Sequence, residues 1–250
     1  MLALDSGGGW RNGSAMQKQT PLPDIARLHA AEGWLFDLDN TLYPAHCDLF
    51  AQIDQRMGTF ISGFLGVDSA RAREVQKAYW ASHGTTLNGL MSEHGMAPEP
   101  FLEFVHDIDL GVLKPDPVLD NAIARLTGVK IIFTNGTVRH AENVLRQLNL
   151  RHHFEAIIDI AATGYVPKPL EGAYTHAVAA AGLNPQHMVM IDDSVKNLQP
   201  AHALGMTTIW AMGKSEWSGP EPQQEDTPFI HHATGDLAAF LTGLSPAAGT

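Results

Sequence analysis

Two aspartates, Asp37 and Asp39, stand one residue apart at the end of an apolar run in WLFDLDNTLYP (34–44), with Thr41 two residues further on. In extended chain, residues two apart point to one face, so the two carboxylates share a side. One can act as a nucleophile while the other handles a proton. Three further features have the same form. The run IIFTNGT (131–137) ends in Thr134-Asn135-Gly136, where a glycine lets backbone approach a ligand and the following helix offers free N–H groups. Lys168 stands between two prolines in GYVPKPLEG (164–172), and MIDDSVKN (190–197) ends an apolar run in Asp192-Asp193.

Each feature alone is commonplace; Thr-Asn-Gly is a frequent turn and Asp-Asp-Ser a serviceable helix N-cap. Brought to one place, the acids Asp37, Asp39, Asp192 and Asp193 would repel one another and raise each other's pKa. A hard divalent cation such as Mg²⁺ resolves that repulsion, takes oxygen ligands and keeps positions for water and a phosphate. Lys168, the Thr134 hydroxyl and the N–H groups around Asn135 and Gly136 complete an anion pocket. The set describes phosphoryl chemistry.

The elements that must converge these residues are legible as near-continuous apolar runs: residues 33–37, 130–135, 187–192 and 206–211. Runs of that kind predict parallel strands covered on both faces. Helical spacing fills the gaps, over 116–128, 137–150, 170–183 and 194–205, and FIHHAT (229–234) predicts a further short strand before a closing helix. Strand–helix alternation predicts an α/β fold with a Rossmann-like doubly wound parallel sheet, whose strand ends share one edge. Residues 44–115 break the rhythm with helical patterns alone, such as Leu49, Ile53, Met57, Phe60, Ile61 and Phe64 on one stripe. They predict a small helical cap inserted after the first strand. The expected organisation is a flexible N-terminal tail over 1–30, an α/β core over 31–43 and 116–244, the cap over 44–115, and a C-terminal tail over 245–250.

The motifs FDLDNT, FTNGT, the lysine of VPKP, and IDDSVKN resemble, in that order, the four signature motifs of the haloacid dehalogenase superfamily. That resemblance implies that Asp37 is a nucleophile forming an aspartyl-phosphate and Asp39 the general acid and base. It implies too that Thr134 binds phosphate, that Lys168 balances charge, and that Mg²⁺ sits between Asp37, the Asp39 backbone carbonyl and the last acidic motif. An acid at position 39 favours a phosphatase over a dehalogenase, because an alkyl halide leaves without a proton. The last motif departs from the usual Gly-Asp pattern: aligned on Ser194, Asp192 holds the glycine's place, Asp193 that of the direct ligand and Asn197 that of a frequent aspartate, and both acids stand as candidate metal ligands. FDLDNTLYP, YWASHGTTLNGLMSEHG (79–95) and MIDDSVKN are also similar to the pyrimidine 5′-nucleotidase branch. This implies hydrolysis of nucleoside monophosphates such as UMP or CMP, with Tyr79, Trp80, His83, Thr85, Thr86 and Asn88 of the cap available to a base. Two alternatives stand beside it: the same mechanism on a sugar phosphate, phosphoglycolate or pyridoxal phosphate, and an inactive binding module.

Composition narrows the setting. Over 250 residues, 44% hydrophobic and 17% charged content suits an ordinary globular chain. The net charge of −11 argues against a nucleic-acid polymer as partner and says little about small anions, whose field a metal and a few local groups can set; the motifs make a small phosphorylated metabolite the expected partner. No run approaches the roughly 20 apolar residues of a membrane span. The first twenty residues lack a secretory pattern, and the single Cys47 fits a reducing compartment, so a cytoplasmic setting is expected. The thirteen histidines fall outside HExxH and similar metal spacings.

Overall fold

The computed structural model describes residues 24–213 and 227–244. Six parallel strands form one sheet in the order β3-β2-β1-β4-β5-β6. They are β1 (Gly33–Phe36), β2 (Val129–Phe133), β3 (Ala156–Ile158), β4 (Met188–Asp192), β5 (Thr207–Ala211) and β6 (His232–Thr234). Alternation along β1 explains why both faces are apolar: Trp34 and Phe36 pack with Ile132, Val189 and Ile209 on one side, Leu35 with Ile131, Phe133 and Met190 on the other. Burying both faces selects parallel strands with helical crossovers. Those crossovers include α6 (Pro117–Arg125), α7 (Val138–Gln147), α8 (Glu171–Ala181) and α9 (Val195–Ala203), with α10 (Leu237–Gly243) closing the described chain against α6. Pro117 opens α6 where its missing N–H costs nothing, and Asp116 caps it by accepting from Val118 and Leu119.

Between β1 and α6 the chain is helical: α2 (Leu49–Leu65), α3 (Ser69–His83), α4 (Thr86–His94) and α5 (Pro98–Val105). Asp68 caps α3 and Thr85 caps α4 through side-chain oxygens. Their buried faces, with Ile53, Ile61, Leu90, Phe101 and Val105, make an apolar cluster of their own, which Ile160 of the α/β layer joins. The helical stripe of α2 is only partly inward: Leu49, Ile53 and Ile61 are buried, whereas Phe64 is exposed.

Two expectations need correction. Residues Asp24–His29 are not tail but helix α1, anchored by the buried Leu28. The strand β3 lies in a segment with no strand assigned from sequence, because three residues beside an exposed start carry no periodicity. The rest of the N-terminal tail, residues 1–23, and the C-terminal tail, 245–250, lie outside the described residues.

Candidate active site

β1, β2 and β4 are adjacent, so their C-terminal ends deliver Asp37, Thr134 and Asp192 to one edge of the sheet. Asp37 follows β1 directly and its backbone N–H still bonds Ile191, which keeps it in line with β4. Its Oδ1 accepts from Lys168 Nζ at 2.8 Å, and its Oδ2 accepts from the Thr41 hydroxyl at 3.0 Å. Thr41 Oγ1 in turn accepts the Asp193 N–H at 3.1 Å, which ties the two acidic motifs together. Asn40, between them, takes φ +62°, a left-handed turn that asparagine tolerates, and swings the chain out of the sheet after Asp39.

Lys168 is buried to 2% exposure and also donates to Asp192 Oδ2 at 2.7 Å. Asn135 fixes the loop that carries it, donating to the Lys168 carbonyl at 3.1 Å and accepting the Lys168 N–H at 2.8 Å. Asp159, just past β3, holds the start of that loop by accepting from Val138 N and Ala162 N. Asp192 is fully buried and saturated: beyond Lys168 it accepts from Ser194 N at 2.8 Å and from the Asn197 amide at 2.9 Å. Asp193, by contrast, accepts no side-chain hydrogen bond among the described residues.

Burial dominates the electrostatics. It raises Asp37 to about 7 against the attraction of Lys168, and Asp192 adds to the rise. Burial likewise pushes Asp193 well above the usual carboxylate range, reinforced by Asp37 and Asp192. Lys168, although desolvated, is held charged by Asp192 and Asp37, and its pKa is raised. Carboxylate oxygens of Asp37, Asp192 and Asp193 lie within 4.8 Å of one another. Three carboxylates offset by the single Lys168 cation, with Asp193 accepting no side-chain hydrogen bond among the described residues, offer hard oxygen donors that fit Mg²⁺. Of the two last acids, Asp193 would be the freer to face a cation, because Asp192 is already engaged by Lys168 and Asn197.

The Asp39 side chain turns away from that trio. Its Oδ1 accepts from Tyr43 OH at 2.6 Å and bonds His140 Nε2 at 2.8 Å. Burial raises its pKa, but the neighbouring His140 and these hydrogen bonds outweigh that and hold it below the usual range. The ring of His106, just past α5, stacks on His140 with centroids 4.4 Å apart. Neither Tyr43 nor these histidines was singled out from sequence. The one available signal was the position of His140 in the first turn after the Thr-Asn-Gly loop, where a side chain faces the anion pocket.

A cleft of about 370 Å³ opens over this edge, lined by Asp37, Asp39, Thr134, Asn135, Gly136, Lys168 and Asp193. Its opposite wall is apolar and comes from the inserted helices, with Phe50, Ile53, Met57, Trp80, Phe101 and Val105. Of the cap residues expected at a substrate, Trp80, Thr85 and Thr86 line the cleft, whereas Tyr79, His83 and Asn88 do not. The helix face explains it. Tyr79 packs over Gly89, where a Cβ would come within 2.3 Å of its ring, and its hydroxyl lies 2.8 Å from His94 Nε2. His83 Nε2 lies 3.2 Å from Glu93, and Asn88 takes part through its backbone in the Thr85 cap. Away from the cleft, His152 and His153 both face Asp120, at 3.4 and 2.6 Å.

A family model for haloacid dehalogenase-like hydrolases matches residues 32–205. The chain is 27% identical to a glyceraldehyde 3-phosphate phosphatase of Methanopyrus kandleri over 208 residues, which cover 77% of this chain and 88% of that protein. It is 26% identical to phosphate metabolism protein 8 of Saccharomyces cerevisiae over 204 residues, 74% of this chain but only 62% of the yeast protein. Among solved structures, a HAD phosphatase from Thermococcus onnurineus superposes with a TM-score of 0.57 at 18% identity, covering 85% of this chain and 97% of that one. An L-2-haloacid dehalogenase from Xanthobacter autotrophicus with chloropropionic acid covalently bound gives 0.55 at 13% identity, with 87% and 100% covered. At these identities the structural likeness is one of fold. The matched model spans both acidic motifs, the Thr-Asn-Gly loop and Lys168, and the chain belongs to the haloacid dehalogenase-like hydrolase family.

Proposed function

We propose that the protein is a Mg²⁺-dependent phosphomonoesterase working through an aspartyl-phosphate on Asp37, with pyrimidine nucleoside monophosphates as its preferred esters. The observation that carries the chemistry is the placement of Asp37, Asp39, Thr134 and Lys168 on one cleft beside the acidic trio. Asp37, Asp192 and Asp193, with the Asp39 carbonyl, would hold the metal; bound there, it would neutralise charge on the phosphoryl oxygens. An Asp37 oxygen attacks phosphorus as the ester P–O bond breaks, and the departing oxygen takes the proton from the form of Asp39 that is protonated on Oδ2 when the ester binds. Asp39 then removes a proton from water, which attacks the same phosphorus and returns free Asp37 and orthophosphate. The Thr134 hydroxyl and the N–H groups of its loop receive the phosphoryl oxygens.

For the leaving group, the apolar wall supports a planar base. Trp80 presents a ring to the cleft, with Lys196 Nζ 4.8 Å from its centroid. A three-carbon sugar phosphate would leave that wall wet, although the archaeal relative's name supports this second reading. Phosphate release from UMP, CMP, glyceraldehyde 3-phosphate, phosphoglycolate and pyridoxal phosphate, with Mg²⁺ and with EDTA, tests both. Preference for UMP or CMP supports the nucleotidase reading. Preference for a sugar phosphate moves the assignment there, and no release from any ester argues for a binding module.

A further inference from the structure

We propose that His140 is the positioning residue for the acid–base group Asp39, and that His106, at the cap end of α5, holds His140 in place. The proposal rests on the phosphomonoesterase reading and adds to it residues that the four motifs do not contain.

Asp39 has two carboxylate oxygens with different surroundings. Oδ1 is saturated by the Tyr43 hydroxyl and by His140 Nε2. Oδ2 accepts no hydrogen bond among the described residues, and Asp39 lines the cleft. The proton given to the departing oxygen, and later taken from water, therefore travels through Oδ2. His140 acts by aim. Oδ1 stays an acceptor whether or not Oδ2 carries a proton, so the contact requires the Nε2–H tautomer.

His140 is itself fixed from three sides. Its backbone N–H donates to the Thr137 hydroxyl at 3.1 Å, which places it in the first turn of α7. Its ring is buried and lies nearly parallel to that of His106, at 17°. Burial, together with the neighbouring His140, lowers His106 to about 3, so the ring stacked on His140 is neutral. Gly136 makes the approach possible: a Cβ there would come within 3.2 Å of His140 Cδ2 and 3.6 Å of His106 Nε2. Three elements remote in sequence thus meet on one proton-handling group. The aim of Asp39 and the seating of the inserted helices share a single ring stack.

A space-filling role for the two rings predicts losses unrelated to leaving group, so kinetics on paired esters separates the readings. For His140→Ala, kcat/KM on an alkyl phosphate, which reports formation of the aspartyl-phosphate, should fall by about 100-fold or more, the usual scale of general acid catalysis. On p-nitrophenyl phosphate, whose leaving group needs no proton, kcat/KM should fall less than about 5-fold, whereas hydrolysis of the phospho-enzyme, common to both esters, should slow equally. His140→Gln, whose Nε2 can reach the same oxygen, should recover much of the alkyl ester loss, and His106→Ala should show the same selectivity at smaller size. Equal losses of kcat/KM on both esters, or His140→Gln no better than His140→Ala, would overturn the proposal. Nitrogen NMR of the resting wild type, labelled at histidine and assigned with His140→Gln, reads the tautomer without turnover. Nε2–H at His140 is expected, and Nδ1–H would refute the aim described. Wild type inactive on every ester would sink the phosphatase reading, while the tautomer would still decide the role of His140.

Discussion

The ammonium of Lys168 lies 2.8 Å from Asp37 Oδ1, across 131 positions of sequence and with both side chains withdrawn from solvent. The same nitrogen reaches Asp192, so one cation is shared by two carboxylates at the strand edge. Removing one partner from a buried ion pair leaves an uncompensated charge, which costs about 3–5 kcal/mol. Lys168→Met, similar in volume, should therefore lower stability by about 3 kcal/mol in chemical denaturation and abolish phosphate release. Stability and turnover near wild type would show that Lys168 has neither role.

Asp37 provides a test of the metal. In the absence of a cation its pKa is raised to about 7, so the folded chain holds this proton more tightly than the unfolded chain does. Stability from this group is fully present below the ordinary aspartate value of 3.8 and is lost as pH rises through about 7. With EDTA present, thermal stability should fall between pH 5 and pH 8 by roughly 2 kcal/mol, and Asp37→Asn should flatten the fall. Mg²⁺ should restore stability more at pH 8 than at pH 5, because it requires ionised carboxylates. Asp193→Asn should remove most of that Mg²⁺ response. Stabilisation by Mg²⁺ that is independent of pH and of Asp193 would contradict this account of the site.

Trp80 tests the substrate. If its ring faces a base, Trp80→Ala should raise KM for UMP by about 10-fold, the scale of one aromatic stack, and leave KM for a small alkyl phosphate nearly unchanged. Tyr79→Phe should alter neither, because the Tyr79 hydroxyl faces His94. A larger effect from Tyr79 than from Trp80 would mean that the cleft wall is not the base-binding surface.

Much of this site was legible in the sequence because its residues sit at strand ends, and buried parallel strands announce themselves as apolar runs. The runs at 33–37, 130–135, 187–192 and 206–211 correspond to β1, β2, β4 and β5 within a residue or two. FIHHAT contains β6, whereas β3 is too short and too exposed at its start to leave a pattern. Asn197, noted as standing in an aspartate's place, donates to Asp192 and so supports that carboxylate. What stayed hidden depends on which face a helix turns inward. Trp80 reaches the cleft while its neighbour Tyr79 does not, and a one-residue rotation about α3 decides this. His106 and His140 are 34 residues apart and acquire a relation only when the chain just past α5 comes back against the first turn of α7.

The central claim is that Asp37 becomes phosphorylated. Rapid acid quenching of a single turnover with radiolabelled substrate, followed by peptide mapping, measures this directly. The account predicts transient, hydroxylamine-sensitive label on the peptide bearing Asp37, and neither label nor turnover in Asp37→Asn. Undiminished turnover by Asp37→Asn, or wild-type turnover with no protein-bound phosphate at any time, would contradict it.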